Sequence, residues 1–263
     1  RIDILNNYAN HLWEGDPGIY MILEHWTDGS ELQALVADGF MVWANTAHEY
    51  AEAQMGYGSN FNWASYQSQG MVAPKVVSYP ESHDEERLMY KALAFGSGDG
   101  DYQVTTLNTA LARMEAVQCF HIPLPGPKML WQFEELGYDY SINTCSDGVT
   151  VDENCRLAPK PVRWDYRDNP NRYRIHEVIA GLAHLKTTYP DPFTSTNYNF
   201  DVSGYGKRLH LNGENLNAVI VANFRVTPLS MIPGFQHTGT WYDYFTGELL
   251  EVSDVNAFMD FAP

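Results

Sequence analysis

Positive charge is scarce in this chain: 16 Lys and Arg stand against 33 Asp and Glu, for a net charge of −17. That balance disfavours nucleic acid and other polyphosphates as partners, because their binders carry clustered Lys and Arg. No uninterrupted apolar run reaches the roughly eighteen residues needed to span a membrane. There is no internal repeat and no low-complexity tract. Cysteine is sparse, with three in 263 residues. Cys119 sits among Ala116, Val117 and Phe120 in an apolar helical stretch and reads as a plain buried thiol. Cys145 and Cys155 flank the polar, turn-rich loop "CSDGVTVDENC". That loop suits a disulfide in an exported protein better than a metal pair, since no His or third Cys lies close. The expected location is therefore extracellular or periplasmic. The residues point to no cofactor, and a calcium requirement cannot be read from them.

What the chain does have is apolar and aromatic material. Hydrophobic residues make up 44% and charged ones 19%, which supports a packed core and argues against disorder. Seven Trp and seventeen Tyr give an aromatic-rich surface suited to uncharged partners such as sugars, whose C–H faces stack on flat rings.

The apolar spacing of Ile2, Leu5, Ala9 and Leu12 predicts a helix over residues 1–14, broken by "GDPG". "IYMILEHW" (19–26) follows as a buried strand, then "GSELQALVADG" (29–39) as a short helix capped by Ser30. "FMVWAN" (40–45) is a second strand, with helical patterns behind it to about Gln69. "KVVSY" (75–79) is a third and "PKMLWQF" (127–133) a fourth. Helices are predicted over 106–120 and 171–189. A strand–helix rhythm repeated four times belongs to a β/α barrel or a doubly wound sheet. Beyond Pro190 the pattern changes to short alternating strands with Gly-containing turns and no helix, a separate antiparallel β domain behind a Pro-rich hinge.

Polar groups at the C-terminal ends of β/α strands face the active site. "VVSYPESHDEERLMYK" (76–91) is the densest such cluster, with four carboxylates directly behind a buried strand. Glu24 closes the strand "YMIL" in the same way. Each has a plainer reading: a strand-end salt bridge for Glu24, a helix N-cap for Asp84 and a structural histidine for His83. Two carboxylates after two strands of one sheet favour acid/base work on a glycosidic bond.

Together "ILEHW", "SYPESHDEER" and "PGPKMLWQFEELGYD" resemble the later motifs of the α-amylase family of glycoside hydrolases, in that family's order. Within the family, "ESHDEERLMYK" and "GYDYSIN" look most like amylase-type proteins of Bacteroidetes. The resemblance implies an α/β fold: the second half of a (β/α)8 TIM barrel, four βα units over residues 1–190, then an antiparallel β-sandwich over 191–263. It implies a retaining hydrolase acting within starch, glycogen or maltodextrin chains. The alternatives are a family transglycosylase such as a branching enzyme, or a non-catalytic glucan-binding module. Glu24 matches the general acid/base and Asp84 the carboxylate that stabilises the transition state. His83 matches its sugar-binding neighbour, and Trp26 stands where relatives contact substrate. Glu85, Glu86 and Arg87 are expected to tie down the following loop and helix.

Two departures stand out. The family's nucleophilic aspartate sits in a G-x-R-x-D motif after the fourth barrel strand, and no such motif occurs in the chain. The expectation is a piece of a larger enzyme, inactive alone, whose partner is the missing barrel half or a second copy of itself. The other is Glu134 in "QFEELG", where relatives usually carry Gly.

Overall fold

The computed structural model describes residues 1–263. Its centre is a parallel sheet ordered Ile22–Leu23, Met41–Asn45, Val76–Tyr79. Ile22 pairs with Met41, and Val42 with Val76. Parallel neighbours need long crossovers, and helices supply them. Helix α1 (Ile2–Gly15) precedes the first strand. Helix α2 (Gly29–Ala37) links the first two strands, and α3 (Ala47–Met55) leads toward the third. All four residues of Val76–Tyr79 are buried, as an apolar strand covered on both faces requires. Gly39 makes the turn from α2 into Met41–Asn45 at a φ of +117°, where its missing Cβ also lets the Trp13 ring approach.

Three sequence expectations are corrected here. The stretch 19–26 is a strand only at Ile22–Leu23, because Ile19 is drawn into a turn by its bond to the Asp16 carbonyl. Helix α2 is entered through Asp28, and Ser30 is its second residue rather than its cap. The fourth strand shrinks to a parallel bridge between Ser78 and Lys128, extended by the Met129 N–H to the Ser78 carbonyl at 3.1 Å. Pro127 has no N–H to offer a ladder. Four residues on, the Trp131 N–H is taken by the Glu134 carboxylate at 3.0 Å. Phe133 then turns left-handed at φ 61° and ends any extended run.

Helices α4 (Leu88–Phe95), α5 (Leu107–His121) and α6 (Pro170–Thr188) pack beside this sheet. Helix α6 has Pro170 at its first turn and an Asn169 cap whose side chain accepts from the N–H groups of Asn171 and Arg172. Beyond it lies a short helix α7 (Pro190–Thr194), where the sequence had suggested none. Pro190 and Pro192 had read only as a hinge, yet proline fits a helix's first turn.

The remaining chain is antiparallel. Strands Tyr198–Asp201, Gly206–Asn212 and Asn217–Asn223 form one sheet, with Gly206–Asn212 central and alternately buried. Leu229–Met231 pairs with Met259–Phe261, and Gly239–Tyr242 with Leu249–Val252. Ser59–Asn60 pairs with Ser203–Gly204, stitching this region to the first. One buried cluster runs through both: Tyr50, Phe61, Phe120 and Ile175 join Phe193, Leu209, Leu211 and Phe224. At the seam Lys207 is fully buried and donates to the carbonyls of Ser59, Val202 and Gly204, with its ammonium 4.0 Å from the Phe61 ring centroid.

Candidate active site

The parallel sheet delivers polar residues along one edge, past the C-terminal ends of its strands. Glu24 follows Leu23, Asn45 ends the middle strand, and Glu81 to Glu86 follow Tyr79. Thr46 binds the strands here, its hydroxyl donating to the Tyr79 carbonyl at 2.7 Å. The Tyr79 phenol is pushed up to about 12 by burial, then by the carboxylates of Glu85, Glu24 and Asp84. Tyr79 thus feels both Glu24 and Asp84, which stand 60 residues apart in the numbering.

Asp84 and His83 are exposed neighbours, with His83 Nε2 3.3 Å from Asp84 Oδ2. The His83 ring also lies 5.9 Å from Trp131. Glu24 is exposed and makes no hydrogen bond, which removes the salt-bridge reading for it. Trp26, 60% exposed, is likewise open to solvent, and His25 between them turns away to Glu31 at 2.9 Å. Asp84 is not a helix cap either: α4 starts at Leu88, and its first N–H is held by Glu81 Oε1 at 2.8 Å. The residues after Asp84 do tie the surroundings together. Glu85 accepts from Asn45, Glu86 accepts the Ile142 N–H, and Arg87 donates to the Ser82 carbonyl.

Beneath this exposed rim lies a buried layer that sequence reasoning missed. Glu81 and Glu134 are both fully buried. Burial raises Glu81 from its ordinary 4.5 to about 7, against the pull of Arg87 and the Leu88 N–H. Glu134 is raised well above the ordinary carboxylate range, by burial first and then by Glu81. Gln118 donates to Glu134 Oε1 at 2.8 Å, and its own Oε1 has no partner. The only signal in the sequence was Glu134 itself, a carboxylate where the resembled family usually carries Gly. No group of three or more His, Cys, Asp or Glu side chains is gathered for a metal.

A pH prediction follows from Glu81. Its folded pKa lies above the unfolded value, so its stabilising proton is fully present below about pH 4.5 and is lost as pH rises through about 7. Glu81→Gln keeps the acceptor for Leu88 but cannot titrate. The stability difference between wild type and Glu81→Gln should shift by roughly 2–3 kcal/mol across that window, against wild type at the higher pH. Urea denaturation at several pH values measures it, and parallel profiles would refute the assignment.

The loop Cys145–Cys155 is closed by a disulfide, as its composition suggested, and Cys119 is a free, partly buried thiol. Burial pushes the Cys119 thiol up to about 12, which keeps it unreactive.

No protein-family model matches the chain, and no curated protein sequence does. Solved structures do. The α-amylase of Geobacillus thermoleovorans, complexed with acarbose, matches at a TM-score of 0.69 and 10% identity, over 100% of this chain and 55% of its own. CldA, a cyclomaltodextrin glucanotransferase with a three-domain ABC distribution, matches at 0.66 and 12%, over 100% and 52%. The type III pullulan hydrolase of Thermococcus kodakarensis matches at 0.61 and 17%, over 97% and 42%. At these identities the likeness is one of fold. The chain spans about half the length of the structures it matches.

Proposed function

We propose that this chain is part of an α-amylase-family glycoside hydrolase acting on α-glucans, contributing four βα units of a (β/α)8 barrel (residues 1–190) and a β-sandwich (191–263). The observation that carries this reading is the placement of Glu24 and Asp84 past the C-terminal ends of two strands of one parallel sheet, with His83 against Asp84. Structures of the same fold bind acarbose and maltose, which supports an α-glucan as the substrate here.

In this reading Glu24 protonates the leaving glycosidic oxygen and later activates water. Its solvent-facing, unpaired carboxyl is free to exchange the proton. Asp84 and His83 hold sugar hydroxyls and set negative charge beside an oxocarbenium-like transition state. Trp26 offers an open ring face for the leaving-group side of the substrate. A retaining mechanism also needs a nucleophilic carboxyl about 5–5.5 Å from the acid. We assign it to a segment outside these residues, since the chain carries no G-x-R-x-D motif. Hydrolysis within α-glucan chains is the favoured reaction. Transfer to a second sugar uses the same two groups, and CldA supports that second reading. The Cys145–Cys155 disulfide supports an oxidising location outside the cytoplasm.

Expressing the 263-residue chain alone and the product of its complete gene tests the proposal on soluble starch. Activity is expected from the complete product and none from the chain alone. Hydrolysis by the chain alone would mean that a carboxylate within it acts as nucleophile. Inactivity of the complete product on all α-glucans would remove the proposal.

A further inference from the structure

Arg156 reaches across 72 residues to grip Asp84 at two points. Its Nη2 donates to the Asp84 main-chain carbonyl at 2.7 Å and to Oδ1 at 3.1 Å. With His83 against Oδ2, the Asp84 carboxylate is steadied on both oxygens while 57% of its side chain stays exposed. A long arginine on a ten-residue excursion loses much side-chain and loop entropy when it makes such a contact. Here the loop's share of that entropy is already removed. Cys155, the residue before Arg156, is bonded to Cys145. Lys160 donates to the carbonyls of Thr144, Cys155 and Arg156 at 2.8–3.2 Å, clasping both limbs of the loop. Asp147 ties its tip through the N–H groups of Val149 and Thr150. At the loop's root the Ile142 N–H binds Glu86, two residues beyond Asp84.

We propose that Arg156 is a positioning residue for Asp84, and that the Cys145–Cys155 disulfide acts on the site through it. The stapled loop holds the guanidinium in place, and the guanidinium fixes both the backbone and the carboxylate rotamer of Asp84. The catalytic consequence rests on the function proposed above; the positioning itself does not. An exposed ion pair contributes little to global stability, so its removal leaves a folded protein to measure.

The side-chain carboxyl carbon of Asp84, identified by its loss in Asp84→Asn, reports the positioning by NMR in the 263-residue chain without any sugar. Its resonance is expected to move in Arg156→Ala and in the Cys145→Ser/Cys155→Ser double variant, and to return toward wild type in Arg156→Lys. Amide exchange over residues 82–86 should quicken about three- to tenfold in the first two. An unmoved resonance in Arg156→Ala overturns the positioning role, and an unmoved one in the double variant overturns the part assigned to the disulfide. In the active complete product, Arg156→Ala should lower kcat about tenfold with much less change in KM, because a displaced Asp84 fails mainly in the transition state. An unchanged kcat overturns the catalytic consequence. If the complete product proves inactive while the resonances shift, the positioning stands and the glycosidase reading falls.

Discussion

Glu24→Gln in the catalytically active complete product should lower kcat on soluble starch by about 10²–10⁴-fold, the usual worth of a positioned general acid. Glutamine keeps the size and hydrogen-bonding shape of the side chain but cannot give up a proton. KM should move much less, since proton transfer to the leaving oxygen belongs to the transition state. Asp84→Asn should produce a loss of about 10²–10³-fold, because it removes negative charge where positive charge develops. The two variants also separate the roles. A substrate with a good leaving group, such as an aryl maltooligoside, needs less acid help. Glu24→Gln should recover much of its activity on that substrate, and Asp84→Asn should not. Equal recovery in both would show that the acid has been assigned to the wrong carboxylate.

The second large effect is on stability. Arg113 on α5 is buried and donates to the carbonyls of Ala53 and Gln54, where α3 ends, and to that of Phe224 in the antiparallel region. It also reaches the Tyr102 hydroxyl at 3.2 Å. The Ala53 carbonyl keeps the Gly56 N–H, but Arg113→Ala removes a hydrogen bond from each of the others and opens a cavity. The expected loss is about 3–5 kcal/mol, read by urea denaturation. Arg113→Lys should recover only part, because one ammonium cannot span carbonyls that a planar guanidinium fork reaches together. A loss below about 1 kcal/mol would mean that water satisfies the carbonyls left behind.

Much of the fold was legible where a periodicity extends over many residues. Helices α1, α5 and α6 lie within a residue or two of the ranges their spacing predicted. Met41–Asn45 and Val76–Tyr79 read as strands because continuous apolar runs have few other uses. The same logic overreached at 127–133, where Met129, Leu130 and Trp131 look like strand residues. There the Glu134 side chain takes a backbone N–H that pattern alone assigns to a sheet. The cap of α2 was misplaced by two residues because Asp28 and Ser30 are both good cap types, and only backbone geometry separates them.

For the site, Glu24 stood out because it directly follows an apolar strand, and Asp84 because it lies in the polar run that opens just past one. Arg156 did not. Its partner is 72 residues away, and no local pattern encodes a contact of that range. The burial of Glu81 was hidden for a related reason: it sits in the same polar run as Asp84, Glu85 and Glu86, and only its enclosure beside Arg87 and the start of α4 distinguishes it from them.

The buried cluster that joins α3, α5 and α6 to the strands beyond Pro190 bears on how this region can be inherited and engineered. A unit that evolution shuffles freely carries its own core and meets its neighbours through a modest, largely polar surface. The strands here do not meet that description. Leu209, Leu211 and Phe224 share one apolar mass with Phe61 and Phe120, and Lys207 leaves its own strand to satisfy the Ser59 carbonyl. Cutting the polypeptide near Pro190 would bare apolar surface on both products and strand a buried ammonium on one. Grafted onto another enzyme as a sugar-binding appendage, residues 191–263 would arrive without the aromatic and aliphatic side chains that complete their interior.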